Sequence, residues 1–237
     1  MRDKICFVSI DVERGIEGLE KILAIFKKYN VPATLFVTGE ILQQHAGLLR
    51  ELNREYEITC HGFTHRFWDT LNRKERKKEL EDFISLYQNI FKEKPGGFRA
   101  PSHIIDKAAI ELLQEKGFLY DSSIVPHYPP FKKYRGYKGK KPREPYYPEG
   151  LEILEIPVSG QILGIPLAGA WVKKLPPWFY RILFLFYSPQ FLTLSMHSWD
   201  VLDPRFLGNL DKILSLLKLK NYQFLNGREI FHKNRRD

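Results

Sequence analysis

The 237-residue chain is poor in cysteine, and its two cysteines do not form the pattern of a disulfide framework. Cys6 and Cys60 both lie in short apolar runs, where buried free thiols are the usual state. No apolar run reaches the roughly 18 residues that a membrane-spanning helix needs. The N-terminal residues lead directly into a strand pattern without an apolar signal segment. We therefore expect a cytoplasmic protein without structural disulfides or spanning helices.

Acidic residues are outnumbered, with 28 Asp and Glu against 37 Lys and Arg, which gives a net charge of +9. A basic balance favours anionic partners such as nucleic acid, a membrane surface or a phosphorylated substrate, and a solvated basic surface explains it equally well. The composition is 43% hydrophobic and includes 17 Phe, 12 Tyr and 4 Trp, which excludes a disordered chain and predicts a substantial core.

Strand and helix patterns alternate along most of the chain. The predicted strands are 4–10, 33–37, 57–60, 97–99, 118–120, 151–158, 191–196 and 222–225. The predicted helices are 16–29, 40–53, 72–92, 106–116 and 207–219. This alternation predicts an α/β fold with a parallel sheet, and we expect an irregular (β/α) barrel of seven or eight units that occupies residues 1–237 as a single domain. A stretch rich in Pro, Tyr and Lys, 126–150, is predicted to be a long surface loop, and a basic tail ends the chain.

Polar residues follow several of the predicted strands. In (β/α) barrels the catalytic groups lie at the carboxyl ends of the strands. The residues found there are Asp11 with Glu13, His61 with His65, Arg99, Asp121 and His197. Five strand ends therefore each carry a residue suited to hydrolytic chemistry.

The most specific local signal is the sequence His61-Gly-Phe-Thr-His65. A strand that ends at His61 and turns brings the fifth residue back near the first, so that two imidazoles can share one metal ion. Zinc and similar divalent ions take such ligands, commonly with an added carboxylate. Two unrelated loop histidines are the alternative interpretation.

The segment Asp11-Val12-Glu13 places two carboxylates on one side of an extended chain, with Val12 turned toward the core. Two neighbouring carboxylates do not both ionise freely. A metal ion resolves this conflict by taking one carboxylate as a ligand and leaving the other as a base. A strand end followed by a solvated helix cap is the alternative.

Three further motifs carry candidate catalytic groups. Arg99 can hold a carboxylate through two hydrogen bonds, and the backbone N–H of Ser102, just past a proline, can stabilise an oxyanion. An aspartate that accepts a hydrogen bond from His197 would raise the pKa of that imidazole and suit it to general-acid catalysis. Asp121 is the candidate for this aspartate. Each motif alone is also compatible with a purely structural role.

Together these motifs resemble, in order, the five motifs of the polysaccharide deacetylase family, carbohydrate esterase family 4, over residues 5 to about 200. The stretches CHGFTHR, GFRAPS and YDSSIVP look most like the bacterial branch associated with exopolysaccharides. The resemblance implies an irregular (β/α) barrel, one divalent ion, zinc or similar, and hydrolysis of N-acetyl groups on an amino sugar.

Carried over residue by residue, the resemblance makes His61 and His65 metal ligands and Asp11 the base that deprotonates the attacking water. The family's first motif has two adjacent aspartates, base then ligand, whereas here Val12 holds the second position. Glu13 is the natural substitute ligand because it shares a face with Asp11. Asp11 itself is the alternative carboxylate ligand.

The same resemblance assigns the remaining roles. Arg99 orients the base, His197 protonates the departing amine, and Asp121 tunes His197. Ser102 and Trp199 are the residues expected to contact the oxyanion or the substrate.

Two other functional classes compete with an N-acetyl hydrolase. The sequence at 11–15, DVERG, also resembles deformylases that act on lipid-linked aminoarabinose, and related enzymes open cyclic ureides. A non-enzymatic glycan-binding or nucleic-acid-binding protein is the alternative from another class, and it predicts a decayed site. Every catalytic position here has a competent residue, so we expect an enzyme acting on a glycan or lipid-linked saccharide, with no nucleic-acid partner.

The segment 172–187, VKKLPPWFYRILFLFY, is strongly apolar and follows two lysines. Such a segment can be a core helix of the barrel. It can also be a short helix lying in a membrane interface, with the lysines and arginines of 131–143 contributing to peripheral contact with anionic lipids. The sequence leaves both interpretations open, together with the oligomeric state.

Overall fold

The computed structural model describes residues 4–126, 135–159, 161–162 and 165–236. The strands are β1 Lys4–Val12, β2 Thr34–Val37, β3 Glu57–Cys60, β4 Gly97–Phe98, β5 Tyr120–Asp121, β6 Leu154–Glu155, β7 Gln161–Ile162, β8 Ile165–Pro166, β9 Phe191–His197 and β10 Tyr222–Leu225. The helices are α1 Leu19–Tyr29, α2 Gly39–Gln44, α3 Ala46–Leu52, α4 Arg73–Phe91, α5 Lys107–Glu115, α6 Gly169–Val172, α7 Pro177–Phe186, α8 Phe206–Leu219 and α9 Gly227–Asn234. Three 3₁₀ turns lie at Trp68–Thr70, Pro101–His103 and Ser198–Leu202.

The central strand β1 is buried from Cys6 to Val12 and forms parallel ladders with β2, β9 and β10. The ladder continues outward in the order β2, β3, β4, β5 and β6, again with parallel strands, while β7 and β8 form a separate antiparallel pair. Because all strands of the main sheet run the same way, their carboxyl ends share one rim.

The sheet is a half-barrel with helices on its outer side, which confirms the expected irregular α/β barrel. Between β6 and β9 the described residues form no ladder, and side chains connect the two strands instead. Thr193 Oγ1 donates to the carbonyl of Pro157 at 2.8 Å, and the N–H of Ser159 donates to Thr193 Oγ1 at 3.3 Å. Proline lacks an N–H for a ladder, which explains why the predicted strand 151–158 is regular only at Leu154–Glu155.

Several predicted boundaries shift for local reasons. The predicted helix 40–53 divides into α2 and α3 at His45, whose φ of −124° lies outside the helical range. The chain after β10 does not continue directly into an irregular tail. Asn226 and Glu229 form a capping box, and helix α9 begins there. The predicted loop 126–150 has no helix or strand in its described part, 135–150, and residues 127–134 lie outside the described residues.

Candidate metal and catalytic site

Three side chains from two strand ends meet on the rim of the sheet. His61 Nε2 lies 3.1 Å from Glu13 Oε2, and His65 Nε2 contacts the same oxygen. One ligand atom from each residue lies within 4.8 Å of the others. Val12 is fully buried, as the alternation of an extended chain requires, which turns Glu13 toward the two histidines.

The tautomer of His61 follows from its neighbour. His61 Nδ1 lies 2.8 Å from the carbonyl oxygen of Arg99, which can only accept a hydrogen bond. Nδ1 therefore carries a proton, and Nε2, which faces Glu13, is the nitrogen that can bind an ion once it is deprotonated. A histidine fixed by a backbone carbonyl in this manner is the usual arrangement of a metal-binding imidazole.

The loop between the two histidines is held by Glu79 of α4. The carboxylate of Glu79 accepts hydrogen bonds from the N–H groups of Phe63 and Thr64 at 2.8 and 2.9 Å and from Thr64 Oγ1 at 2.5 Å. Gly62 has a φ of +80° and His65 a φ of +55°, so the chain reverses sharply enough to return His65 to His61. Sequence reasoning missed Glu79, because nothing local distinguishes it from the other acidic residues of α4.

This donor set fits a zinc-like divalent ion, which prefers imidazole nitrogen and carboxylate oxygen ligands. Glu13 is the carboxylate in the cluster. Burial raises the pKa of Glu13, but the hydrogen bonds from His61 and His65 outweigh it and leave the pKa well below its ordinary value. Glu13 is thus an anion next to two imidazoles. Asp11, the alternative carboxylate ligand, is engaged by Arg99 instead.

Arg99 is fully buried and lies behind Asp11. Its Nη1 donates to Asp11 Oδ1 and to Ser9 Oγ, both at 2.8 Å. Its Nε and Nη2 donate to the carbonyl and hydroxyl oxygens of Ser122, each at 2.9 Å. The expected two-bond grip on a carboxylate is therefore replaced by one bond to Asp11, because Ser122 occupies the other side of the guanidinium. The aromatic ring of Phe36 lies 4.1 Å below the guanidinium carbon.

Asp11 and His197 are direct partners in the parallel register of β1 and β9, so both side chains face the inside of the half-barrel. Burial raises the pKa of Asp11, but the charge of Arg99 and the nearby imidazoles lower it, and the net shift is downward. Asp11 is therefore ionised at neutral pH and can accept a proton.

The partner of His197 differs from the one expected. Asp200 Oδ2 lies 3.6 Å from His197 Nδ1 and accepts the backbone N–H of His197 at 2.9 Å. Lys173 donates to the other oxygen of Asp200 at 2.9 Å. Burial lowers the pKa of His197, but the hydrogen bond to Asp200 and the charge of Asp11 raise it above its ordinary value. Trp199 stacks on the imidazole, with ring centroids 4.3 Å apart.

Asp121, the residue expected to tune His197, has other partners. Asp121 Oδ1 accepts a hydrogen bond from Ser123 Oγ at 2.6 Å, and Asp121 is the register partner of Glu155 in β6. Both carboxyl groups are buried. Burial raises the pKa of Asp121 to about 6 and that of Glu155 well above its ordinary value, and the charge of Asp121 adds to the rise at Glu155. Asp121 and Glu155 therefore form a buried pair near Arg99. The carboxylate beside His197 is that of Asp200.

The turn after Arg99 carries two further residues of the rim, Ser102 and His103. Ser102 is exposed and has a φ of 54°, and the N–H groups of its successors, His103 and Ile104, donate to Ala100 and Pro101 within the turn. Ser102 therefore stays the predicted oxyanion donor. His103 is a fourth imidazole near the site, and burial together with the charge of Arg99 lowers its pKa to about 3, so it is neutral. The sequence offered only its position four residues after Arg99.

Comparison with known proteins places this geometry in a family. Residues 4–120 match the family model described as polysaccharide deacetylase. Over 120 residues the chain is 28% identical to the peptidoglycan deacetylase of Helicobacter pylori, with 48% of this chain and 41% of that protein aligned. The matched part spans only 34% to 41% of the length of the curated relatives.

Two solved structures share the fold. A peptidoglycan N-acetylglucosamine deacetylase superimposes with a TM-score of 0.69 at 17% identity, with 97% of this chain and 89% of that chain covered. A family 4 pseudoenzyme from Bacillus anthracis superimposes with a TM-score of 0.68 at 18% identity, with 99% and 68% covered. The family model and the curated relatives thus identify residues 4–120 as a polysaccharide deacetylase domain, and the solved structures show that the fold is shared over nearly the whole chain. Its placement in the exopolysaccharide-associated branch stays a prediction.

Proposed function

We propose that this chain is a metal-dependent hydrolase that removes an N-acyl group, acetyl in the first instance, from an amino sugar of a glycan. The observation that carries the proposal is the Glu13–His61–His65 cluster beside an ionised Asp11 and a His197 with a raised pKa. A ligand cluster, a base and an acid on one rim are the three parts that amide hydrolysis needs.

In this proposal Glu13, His61 and His65 hold one divalent ion, zinc or similar. When bound there, such an ion would polarise the acyl carbonyl and lower the pKa of a water molecule. Arg99 fixes Asp11 through Oδ1 at 2.8 Å, which leaves Oδ2 as the atom that accepts the proton of the attacking water. The buried guanidinium also holds Asp11 away from the ion, because moving Asp11 would leave the Arg99 cation buried without its anionic partner.

His197 has the opposite task, because an amine is a poor leaving group as an anion and must receive a proton. Asp200 on Nδ1 leaves Nε2 as the atom that donates this proton. Asp200 is accordingly a positioning residue, and Trp199 restricts the rotation of the ring by stacking on it. The N–H of Ser102 is the proposed donor to the oxyanion.

The substrate class rests on the relatives. The Helicobacter pylori relative is a peptidoglycan deacetylase, and one of the structural neighbours acts on N-acetylglucosamine of peptidoglycan by its name. An N-acetylated glycan of this kind, or a lipid-linked saccharide carrying the same sugar, is therefore the proposed substrate.

Glu13→Gln against Asp11→Asn tests the assignment of the two carboxylates. We expect Glu13→Gln to lose bound metal, because an amide is a poorer ligand than a carboxylate. Asp11→Asn should retain stoichiometric metal and lose turnover by on the order of 10²–10⁴, the usual contribution of a positioned base. Metal content is measured by elemental analysis, and activity by release of acetate from chitooligosaccharides and peptidoglycan.

Two results would contradict the proposal. Stoichiometric metal in a His61→Ala, His65→Ala double variant would remove the ion from this cluster. Release of formate, or opening of a cyclic ureide, in place of acetate would keep the hydrolytic site and reassign its substrate.

A further inference from the structure

Helix α7 has two apolar faces, and only one is used by the fold. Tyr180, Leu183 and Phe184 are buried against the barrel. The outward residues are also large and apolar, namely Trp178 (61% exposed), Ile182 (44%), Leu185 (71%) and Phe186 (81%). We name these four residues the α7 apolar face. Their spacing of four, three and one places them along a single side of the helix.

Packing in the core therefore explains only one of the two apolar faces of α7. Single exposed apolar residues are ordinary on protein surfaces, but a contiguous patch of large ones marks an interaction site. The proline pair at 176–177 begins the helix at the rim, since Lys173 just before it contacts Asp200. The α7 apolar face thus starts beside the catalytic rim and extends along the outside of the barrel.

The stretch of chain that contains this face carries charge of one sign. No Asp or Glu occurs from 156 to 199, while Lys173, Lys174 and Arg181 do. Lys174 and Arg181 are exposed. At the far end of the helix, Arg143 Nη1 donates to the hydroxyl of Tyr187 at 3.0 Å, which brings the carboxyl end of the basic segment 135–143 to that end of the helix. The exposed cations of that segment are Arg135, Lys138, Lys140 and Arg143.

We propose that the α7 apolar face docks on the surface of a bilayer that contains anionic lipid. Aromatic and aliphatic side chains flanked by cations are the features of helices that lie in the membrane interface. Within the described residues no helix is long and apolar enough to cross a membrane, so the contact is peripheral. A second copy of the chain is a poorer occupant, because a two-fold contact would set Arg181 near its own symmetry mate without an acidic partner.

Vesicle sedimentation of the full chain tests this proposal without reference to catalysis. The probes are vesicles of phosphatidylcholine alone and vesicles with about 30% phosphatidylserine. We expect binding to the anionic vesicles at low salt and release as salt rises. Leu185→Glu with Phe186→Glu should weaken binding by about a hundredfold, the effect of two apolar side chains withdrawn from lipid. Lys174→Glu with Arg181→Glu should weaken it by at least about 25-fold, or fivefold for each cation.

The matched control is Leu48→Glu on α3, which places one charge at another exposed leucine (39% exposed) and should bind like the parent protein. Absence of parent binding to anionic vesicles at low salt overturns the proposal. Equal loss in the control, or none in the α7 variants, overturns the assignment to this face. A dimer that the Leu185→Glu, Phe186→Glu variant dissociates, with no vesicle binding by the parent, replaces the bilayer with a second copy.

Discussion

Replacing Asp200 with asparagine tests which carboxylate controls His197. Asparagine has nearly the shape of aspartate and can still accept the backbone N–H of His197, but it has no charge. The ionised oxygen lies 3.6 Å from His197 Nδ1, and a Coulomb interaction across that distance is about 1 kcal/mol in water and about 5 kcal/mol at an effective dielectric constant of 20. The imidazole is 38% exposed, so solvent screening favours the lower part of this range.

An interaction of roughly 1–2 kcal/mol corresponds to about tenfold in the protonation of His197. The acid must be protonated to act, so the rate falls as pH rises through the pKa of His197. Because Asp200 raises this pKa, its removal should move the alkaline limb of the pH–rate profile to lower pH. At pH above the limb of the parent enzyme we expect a rate loss of about tenfold, smaller than the 10²–10⁴ expected for His197→Ala.

The assay combines deacetylation from pH 5 to 10 with NMR titration of the imidazole resonances. The chain has seven histidines, and His197→Ala identifies the resonance of His197. Asp203→Asn, which removes a partly exposed carboxylate paired with Arg205, is the matched control and should leave the limb unchanged. The reasoning is refuted if Asp200→Asn leaves both the limb and the resonance in place while Asp121→Asn moves them.

Three other predictions concern the frame of the site. Glu79→Gln should fold normally and bind zinc about 10- to 100-fold more weakly in a metal-competition titration, because the loop between His61 and His65 loses its anionic anchor; unchanged affinity would make Glu79 merely structural. Gly62→Ala should lower stability by about 1–2 kcal/mol in urea unfolding, since the φ of +80° strains any residue with a Cβ, although no atom blocks the added carbon closer than 3.7 Å. Glu155→Gln should melt at the same or a higher temperature than the parent at pH 8. At that pH the buried pair of the parent must either ionise Asp121, whose pKa is about 6, or keep one proton shared between the two carboxyl groups. The folded pKa values of this pair are raised, so the parent should lose stability as pH rises, and a variant less stable than the parent at pH 8 would contradict the shared proton.

The sequence predicted the arrangement of the fold well because its evidence was periodic. The strands 57–60 (EITC) and 222–225 (YQFL) are short, largely buried runs, and their predicted bounds agree with β3 and β10. The pattern failed where contacts across the sheet decide the outcome. The shortness of β6 depends on Pro157, and the division of the predicted helix 40–53 depends on the dihedral angles of His45. Neither feature changes the hydrophobic spacing of the sequence.

The metal cluster was also predictable, because all its members come from local motifs. Alternation along β1 gave Glu13, and the five-residue spacing gave His61 and His65. The residues that orient these groups come from elsewhere in the chain. Glu79 is 15 residues beyond Thr64, and nothing in a helix rich in Lys and Glu indicates which carboxylate turns inward.

The exchange of Asp121 for Asp200 shows how one departure in sequence can redistribute a site. Glu155 stands opposite Asp121 in the sheet, and two buried carboxyl groups share protons more readily than either remains an anion. Asp121 loses its charge as pH falls through its raised pKa of about 6, and a neutral carboxyl does not stabilise the imidazolium of His197. Asp200, held ionised by Lys173 and the N–H of His197, supplies the anion from the same rim. Replacing Glu155 alone should therefore leave His197 paired with Asp200, because Lys173 and the N–H of His197 hold Asp200 in place independently of Glu155.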